Sequence, residues 1–419
     1  MKIAFLSSLN PTDVHKWSGT LYYMYEELCR RGHDVTWEGE GWVARRKKLH
    51  ELQCPGVPFR AELYVGEWGE IVANALAGKG YDVVVARDYF FLAGLRVPLP
   101  VVYVGDTTSE LQSAYYGVLE PTRSFLNRIE RLAIHHADRV VYSSEWAKDN
   151  AVTFFQAPPE KVVVAEFGAN LPEPLTAKAQ LPVCAECCQL LFVGKEWKRK
   201  GGALAYDTFR ELRKRQFACE LTIIGSVPPD FIPHEGVTVL PHVDKAEKNG
   251  LEQLAQQYSK AHFLLLPTEY DCFGIVFAEA SAFGVPSLTR NVGGVGQAVR
   301  DGVNGFLLSP DATAKDFADV ICRVFEDRPY YQALCRSAKK EYQTRLNWTR
   351  WGDAMERILQ EVKPKVKMKG HDVCIPTYLI NLKRRPDRRV HILREFEGKA
   401  EFQTSLFEAC EHEVGAVGL

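Results

Sequence analysis

The sequence of 419 residues lacks any long hydrophobic run and any strong excess of charge. No apolar stretch approaches the ~18 residues that a membrane-spanning helix needs, and 52 Lys and Arg nearly balance 53 Asp and Glu. The N-terminal MKIAFLSSLNP has no small-residue cleavage pattern, so it predicts a buried strand rather than a signal peptide. We therefore expect a cytoplasmic protein with peripheral contact at the inner face of a membrane, and the charge balance gives no reason to expect a nucleic-acid partner.

Paired cysteine motifs are also missing. The 11 cysteines are an odd number, and many lie in apolar segments, which suits reduced core thiols better than disulfides. Cys184, Cys187 and Cys188 form the one cluster. A zinc site would need a second pair at similar spacing, and none follows, so we expect a solvated loop and no metal there.

What the sequence does contain is typical of a globular α/β protein. Hydrophobic residues make up 46% and charged residues 25%, and the length predicts more than one domain. Short apolar runs alternate with turns and helical stretches, a pattern that indicates parallel strands joined by crossover helices. The predicted strands are Ile3 to Leu6, Val83 to Ala86, Val101 to Val104, Val140 to Tyr142, Val162 to Ala165, Leu190 to Val193, Leu221 to Ile224, His262 to Leu266 and Val285 to Leu288.

These strands divide into two doubly wound, Rossmann-like domains facing across a cleft, predicted at residues 1–175 and 176–362. Prolines 172, 174 and 182 indicate a linker between them. A helix is expected from Thr20 to a C-cap near Gly32. The amphipathic stretch 341–362 is expected to close the second domain, with its last helix crossing back to the first. Residues 363–419 contain a basic linker and a strand at Tyr378 to Leu382, too little for a stable domain, so we expect an incomplete α/β segment.

In open parallel sheets, ligands bind beyond the carboxyl ends of the strands. The stretch GKEWKRKGG follows one predicted strand, with Gly194 for a tight turn and Lys195, Lys198, Arg199 and Lys200 at a helix start. Cations and helix amides together favour a diphosphate site. The alternative is a solvated basic loop.

The segment PTEYDCFGIVFAEASAFGVPSLT follows another strand and is polar where a core would not be. Asp271 and Glu279 flank a helix start at Gly274, so both carboxylates are expected to face one ligand that carries hydroxyl groups. The alternative makes Glu279 an exposed helix residue and Asp271 an N-cap. A third loop carries three glycines, Gly293, Gly294 and Gly296.

With these motifs the sequence resembles the family 4 glycosyltransferases over residues 1–362, most specifically in PTEYDCFG followed by AEA. The resemblance implies the GT-B fold and transfer, with retention, of a sugar from a nucleotide diphosphate sugar to a hydroxyl of a glycan or lipid-linked glycan. It also implies a role in bacterial cell-surface polysaccharide, lipopolysaccharide or glycoconjugate synthesis. No metal or other cofactor is expected.

The resemblance assigns roles to the donor residues. Glu279 would bind the ribose, and Asp271, where glutamate is usual, would contact the transferred sugar. Lys200 would hold the diphosphate with a second cation, for which Lys195 and Arg199 both remain open. The backbone at Phe273, Gly274 and Ile275 would contribute to the same site, as would that at Gly194.

Three further positions follow from the same comparison. WSGT, with Gly19, resembles the loop that approaches the transferred sugar, and Gln297 stands where an acid is common. Family members usually carry a histidine after a middle strand, whereas this sequence has Gly105 and Asp106, so Asp106 would take over the sugar contact. The alternative is that Asp106 and Thr107 only cap a helix.

The tail YLINLKRRPDRR, residues 378–389, resembles the start of a family 25 glycosyltransferase domain. No acidic metal-binding pair follows, so we assign it no activity and expect a piece of a longer bifunctional protein. Two rival functions remain for residues 1–362. One is a dinucleotide oxidoreductase, disfavoured because no GxGxxG turn follows the first strand. The other is a non-catalytic nucleotide- or glycan-binding protein.

Overall fold

The computed structural model describes residues 1–362 except 55, 184, 226, 241 and 242, together with residues 375–381 and 402–408. The chain divides into two compact units, Met1–Pro364 and Lys365–Leu419. The first unit contains two six-stranded sheets, in which every described strand pair is parallel.

The first sheet has the strand order β2-β1-β3-β4-β5-β6. Its strands are β1 (Lys2–Leu6), β2 (Asp34–Glu38), β3 (Val83–Ala86), β4 (Val101–Gly105), β5 (Arg139–Tyr142) and β6 (Val162–Val164). Its helices are α1 (Thr20–Arg30), α2 (Trp42–Gln53), α3 (Val65–Leu76), α4 (Tyr89–Ala93), α5 (Ser109–Tyr116), α6 (Thr122–His136) and α7 (Glu145–Thr153). The central strands are buried along their whole length because helices cover both faces.

The second sheet has the order β12-β11-β10-β7-β8-β9. The short α8 (Glu173–Ala177) precedes β7 (Cys188–Gly194), β8 (Cys219–Gly225), β9 (Val237–Leu240), β10 (Phe263–Leu265), β11 (Ser287–Arg290) and β12 (Gly305–Leu308). The helices are α9 (Gly202–Lys214), α10 (Lys248–Lys260), α11 (Ile275–Ala282), α12 (Val295–Ala298), α13 (Ala314–Glu326), α14 (Arg328–Thr344) and α15 (Trp348–Glu361).

The strand order of each sheet reverses at one point. The reversal lies between β1 and β3 in the first sheet and between β7 and β10 in the second. In doubly wound sheets the crevice at such a point is where ligands bind, because the loops leave neighbouring strands in opposite directions. The topology therefore places two candidate sites, after β1 and β3 and after β7 and β10.

The predicted fold class, two doubly wound parallel α/β domains, is confirmed. The sequence did not predict β2, β9 and β12, and all three are edge strands. Their residues are partly exposed, with β2 reading DVTWE and β9 reading VTVL. In β2 and β9 polar residues interrupt the apolar ones, because an edge strand needs no continuous apolar run, whereas β12 reads GFLL and was missed despite its apolar residues.

The stretch 341–362 contains two elements, because α14 ends at Thr344 and the Asn347 side chain caps a new helix by accepting from the Arg350 amide at 3.0 Å. Two local predictions need correction. The predicted linker contains α8, whose first turn accommodates Pro174 without losing a hydrogen bond. Cys188 lies buried in β7 rather than in a solvated loop, and Cys184 lies outside the described residues.

The helix α15 packs against the first half of the unit. Nη2 of Arg31, the C-cap residue of α1, lies 2.8 Å from Oδ1 of Asp353, and Nε2 of His33 lies 2.7 Å from Oε1 of Glu356. The last helix of the unit thus contacts the first helix.

In the second unit, β13 (Ile375–Asn381) pairs in parallel with β14 (Phe402–Glu408). The predicted strand at 378–382 is therefore present over 378–381, and it has a partner strand that the sequence did not predict. The basic linker, Leu382 and the basic turn lie outside the described residues. Among the described helices, none combines the length and apolar character needed to cross a bilayer.

Candidate active site

The loop that follows β10 carries Asp271 to the reversal point of the second sheet. Nζ of Lys200 lies 2.5 Å from Oδ2 of Asp271, and Nη1 of Arg199 lies 3.7 Å from Oδ1. Nη1 of Arg199 also donates to the carbonyl of Tyr270 at 2.9 Å. These side chains are mostly buried, so a cluster of two cations and one carboxylate forms where the topology predicts a ligand.

The basic loop after β7 divides into a buried and an exposed part. Arg199 and Lys200 reach Asp271, whereas Lys195 and Lys198 are exposed. Gly194 makes room for this arrangement, because a Cβ at that position would lie 3.0 Å from Cγ of Lys200. Of the two candidates for the second cation, Arg199 is the one that the fold places beside Lys200 and Asp271.

The helix α11 begins directly after the loop that follows β10 and carries Asp271, which we call the acidic loop. Gly274, with φ 82°, is its N-cap residue, so the alternative that Asp271 caps this helix is wrong. A Cβ on Gly274 would lie 2.4 Å from the ring of Phe277, which excludes larger residues. Phe273 is buried, and the first two amides of α11, those of Ile275 and Val276, have no partner within the helix, whereas the Phe277 amide donates to the Gly274 carbonyl at 3.0 Å. Such amides favour an anion.

The glycine loop after β11 packs on the acidic loop rather than forming a site of its own. A Cβ on Gly293 would lie 2.3 Å from the carbonyl oxygen of Asp271, and one on Gly294 would lie 1.8 Å from that of Cys272. The Gly294 amide also donates to the Asp271 carbonyl at 3.0 Å. Gly296 has only ordinary contacts. Gly293 and Gly294 therefore fix the backbone position of Asp271.

Glu279 has no exposed surface, so the alternative that it is an exposed helix residue is wrong. Its Oε1 accepts from Nζ of Lys245 at 2.5 Å, and its Oε2 accepts from the hydroxyl of Tyr258 at 3.0 Å. Burial, and then the charge of Glu279, raise the pKa of Tyr23 on α1, so the first half of the unit faces this carboxylate. Sequence reasoning missed Lys245, because it lies 34 residues from Glu279 in an ordinary polar loop.

The expectation that Asp271 and Glu279 share one ligand is only partly reflected in the geometry. Asp271 is bound by Lys200 and Arg199, and Glu279 by Lys245 and Tyr258. The two carboxylates therefore belong to two separate polar clusters. Asp271 lies in the loop before α11, and Glu279 lies within α11.

In the first sheet, Gly19 lies after β1 at the reversal point, and Asp106 follows β4, the strand next to β3. Gly19 is the left-handed N-cap of α1 at φ 89°. Oδ2 of Asp106 accepts from Nε1 of Trp17 at 3.1 Å. The helix α5 is capped by Thr108, whose Oγ1 accepts from the Leu111 amide at 3.3 Å, so the alternative of Asp106 and Thr107 as a helix cap is wrong.

The two halves of the unit meet at the acidic loop. The ring of Tyr115 on α5 stacks on Tyr270 at a centroid distance of 4.0 Å, and the Tyr270 hydroxyl lies 3.4 Å from Oγ1 of Thr107. Burial raises the pKa of the Asp106 carboxyl, and the nearby charge of Asp271 adds to this increase. Asp106 and Asp271, predicted separately, are therefore brought together.

Gln297, which replaces an acid common at its position, also bridges the halves. Its Nε2 donates to Oε1 of Glu166 at 2.5 Å, and its Oε1 accepts from the Glu145 amide at 3.2 Å. Nη1 of Arg345 donates to the Gln297 carbonyl at 2.7 Å. A carboxylate at this position would face Glu166 without a proton to donate, so the amide suits this neighbour.

Comparison with known proteins agrees with this fold. Residues 19–171 match the family described as Glycosyltransferase Family 4, and residues 188–327 match Glycosyl transferases group 1. A D-inositol 3-phosphate glycosyltransferase from Saccharomonospora viridis is 26% identical over 333 residues, which cover 73% of this chain and 76% of that protein.

Two solved structures share the fold. WaaG, a glycosyltransferase involved in lipopolysaccharide biosynthesis, has a TM-score of 0.60 at 18% identity, over 85% of this chain and 99% of that chain. HepE from Anabaena in complex with UDP-glucose has a TM-score of 0.59 at 17% identity, over 86% and 99%.

The fold and the family matches together define a glycosyltransferase of the GT-B type. Within that class, residues 19–171 are similar to the family 4 glycosyltransferases and residues 188–327 to the group 1 glycosyl transferases.

Proposed function

We propose that this glycosyltransferase moves a sugar, with retention, from a nucleotide diphosphate sugar to a hydroxyl of a glycan or lipid-linked glycan. The observation that supports this most directly is the convergence of Arg199 and Lys200 on Asp271 at the reversal point of the second sheet, facing Asp106. A solved neighbour that holds UDP-glucose supports a nucleotide sugar as donor. The lipopolysaccharide role of WaaG supports cell-surface polysaccharide or glycoconjugate synthesis.

Each part of the donor has a matching group. The diphosphate takes Lys200, Arg199 and the first amides of α11, since two cations and a helix N-terminus compensate its charge without a metal ion. The two hydroxyls of the ribose donate hydrogen bonds to the carboxylate of Glu279. The sugar lies toward Asp271, Asp106 and Gly19.

The reaction exchanges one C–O bond for another at the anomeric carbon. The bond from that carbon to the diphosphate breaks, and its electron pair leaves with the phosphate oxygen. The acceptor hydroxyl forms the new bond on the same face, and its proton passes to the departing phosphate. Lys200 and Arg199 stabilise the charge that develops on the leaving group. The alternative is a two-step route in which Asp106 is the nucleophile.

The proposed contact with the inner face of a membrane has support on α2. Arg45, Lys48, Leu49 and Leu52 recur at helical spacing, and Leu49 and Leu52 are 44% and 75% exposed. Cations beside exposed leucines fit an anionic lipid surface. We expect flotation with phosphatidylglycerol vesicles to weaken when Leu49 and Leu52 are both changed to Gln. Ile232→Gln, at a position 79% exposed, is the matched control.

The function is tested by thermal shift with a panel of nucleotide sugars, followed by donor hydrolysis and transfer assays. A donor that binds raises the melting temperature by mass action. Hydrolysis of that donor distinguishes an enzyme from a non-catalytic binding protein. No shift with any nucleotide sugar, together with no hydrolysis, would contradict the proposal.

A further inference from the structure

The loop before α1 holds Trp17 in an unusual backbone conformation. Trp17 (φ 49°, ψ 43°) and Ser18 (φ 58°, ψ 22°) both lie in the left-handed region, and Gly19 follows at φ 89°. Residues with a Cβ rarely adopt this conformation, and they keep it where surrounding contacts determine it. We therefore expect contacts of the Trp17 side chain to hold this backbone conformation.

The indole of Trp17 contacts three groups of the proposed site. Its Nε1 donates to Oδ2 of Asp106 at 3.1 Å, and the guanidinium of Arg87 lies 4.9 Å from the ring centroid. The ring also packs edge-to-face on Phe167 at 5.7 Å, and Phe167 packs on Phe273 at 5.5 Å. Through Phe167, Trp17 thus connects the loop before α1 in the first half of the unit to the acidic loop in the second half.

Arg87 completes this cluster from the neighbouring strand. It follows β3 directly, and its Nη1 lies 2.7 Å from Oδ1 of Asp88. Oδ2 of Asp88 in turn accepts from the Ser8 amide at 2.6 Å, which fixes the pair to the end of β1. The Arg87 side chain is only 32% exposed and is held between Asp88 and Trp17.

Arg87 and Trp17 act on Asp106 in the same direction. Burial raises the pKa of Asp106, whereas the charge of Arg87 and the indole N–H lower it. An indole nitrogen only donates, so this bond stabilises a carboxylate and fixes one of its oxygens. The titratable or charged groups that face Asp106 from the elements around it are Arg87, Tyr142, Tyr270, Asp271 and Cys272.

We propose that Trp17 is a positioning residue for Asp106: its indole N–H, together with Arg87, holds the carboxylate ionised and oriented toward the donor sugar. This inference rests on the sugar contact proposed above for Asp106. It explains how an aspartate works where the family usually has a histidine. It also explains the left-handed backbone at Trp17 and Ser18, which brings the indole to the carboxylate.

The test is the pH profile of kcat/KM for Trp17→Phe in the full chain, with the donor found by thermal shift. Phenylalanine keeps the aromatic packing on Phe167 and removes the N–H. We expect the acid limb to move up by about one pH unit, since the lost bond was made to a charged group. We expect kcat to fall while the donor dissociation constant stays within about twofold. Arg87→Gln should move the limb in the same direction.

Trp37→Phe is the matched control. Trp37 is also partly buried, and its Nε1 donates to the carbonyl of Ser7 at 2.9 Å rather than to a carboxylate. An unmoved acid limb in both Trp17→Phe and Arg87→Gln, or an equal shift in the control, would overturn the inference. Full activity in Asp106→Asn would instead refute the sugar contact itself, and an inactive natural chain would refute the proposed function.

Discussion

Lys245 and Glu279 form an ion pair with 2.5 Å between Nζ and Oε1, on a carboxylate that has no exposed surface. The hydroxyl of Tyr258 occupies the second oxygen. A ribose that binds Glu279 must therefore share or replace these partners, so the nucleotide competes with a contact inside the protein.

Glu279→Gln should weaken nucleotide binding by about 10- to 100-fold, because a hydrogen bond to a charged acceptor contributes ~1.5 to 3 kcal/mol. Calorimetric titration measures this. Glu130→Gln is the control, since Glu130 is also buried and accepts from a tyrosine, Tyr103, at 3.0 Å. Both variants should lose thermal stability, and only the first should lose affinity. If Glu279→Gln binds the nucleotide as tightly as the unsubstituted protein does, Glu279 is not part of the donor site.

Lys200→Met should lower kcat by at least about 100-fold, because the developing charge on the diphosphate would lose one of its two proposed cations. The fold should persist, since Arg199 still faces Asp271. Lys198→Met removes an exposed lysine from the same loop and should leave kcat unchanged. Equal effects of the two variants would mean that overall loop charge, rather than the position of Lys200, matters.

Treatment with EDTA should leave transfer unchanged. In the proposed site, Arg199, Lys200 and the first amides of α11 would supply the positive charge that a metal ion supplies elsewhere. The measurement is initial rate before and after chelation and after addition of Mn²⁺. A rate that falls with EDTA and returns with Mn²⁺ would contradict the proposed diphosphate site.

Asp353→Asn should lower the free energy of unfolding at neutral pH by less than about 1 kcal/mol, because its pair with Arg31 is partly exposed. The hydrogen bond from Arg31 lowers the pKa of Asp353, so the stabilisation is present above the ordinary pKa and is lost as the pH falls through the lowered one. Urea unfolding at neutral and acid pH measures the difference, which should vanish in acid. Asp207→Asn, from a more exposed pair with Arg210, should have no effect at either pH.

Deletion of residues 366–419 should leave donor binding and transfer nearly unchanged. The groups proposed for the reaction all lie in the unit Met1–Pro364. The comparison is kcat/KM for the shortened and full chains at equal concentration. A shortened protein that is monomeric and folded yet transfers no sugar would mean that the tail contributes to the acceptor site.

The sequence predicted the elements whose residues are buried on both sides, because continuous apolar runs such as VVVA of β3 have no other explanation. It also located Asp271, Lys200 and Asp106, since each follows a predicted strand at its carboxyl end. The polar edge strand β2 and the new helix at Asn347 had no comparable signal.

The partners of these residues could not be predicted. Trp17 and Asp106 are 89 residues apart, and Lys200 and Asp271 are 71 apart. Such pairs meet only because the strand order brings distant loops together. The pattern of residues in a single sequence does not reveal that order. Sequence reasoning could name the chemical groups, and the fold decided which of them meet.

The stack of Tyr115 on Tyr270 has a mechanical consequence. Tyr270 directly precedes Asp271, so a rotation that separates the two rings also displaces the backbone that carries the proposed sugar contact. We therefore expect opening of the cleft and release of the sugar to be one concerted motion, in which the aromatic pair transmits movement of the first half of the unit to the carboxylate of Asp271.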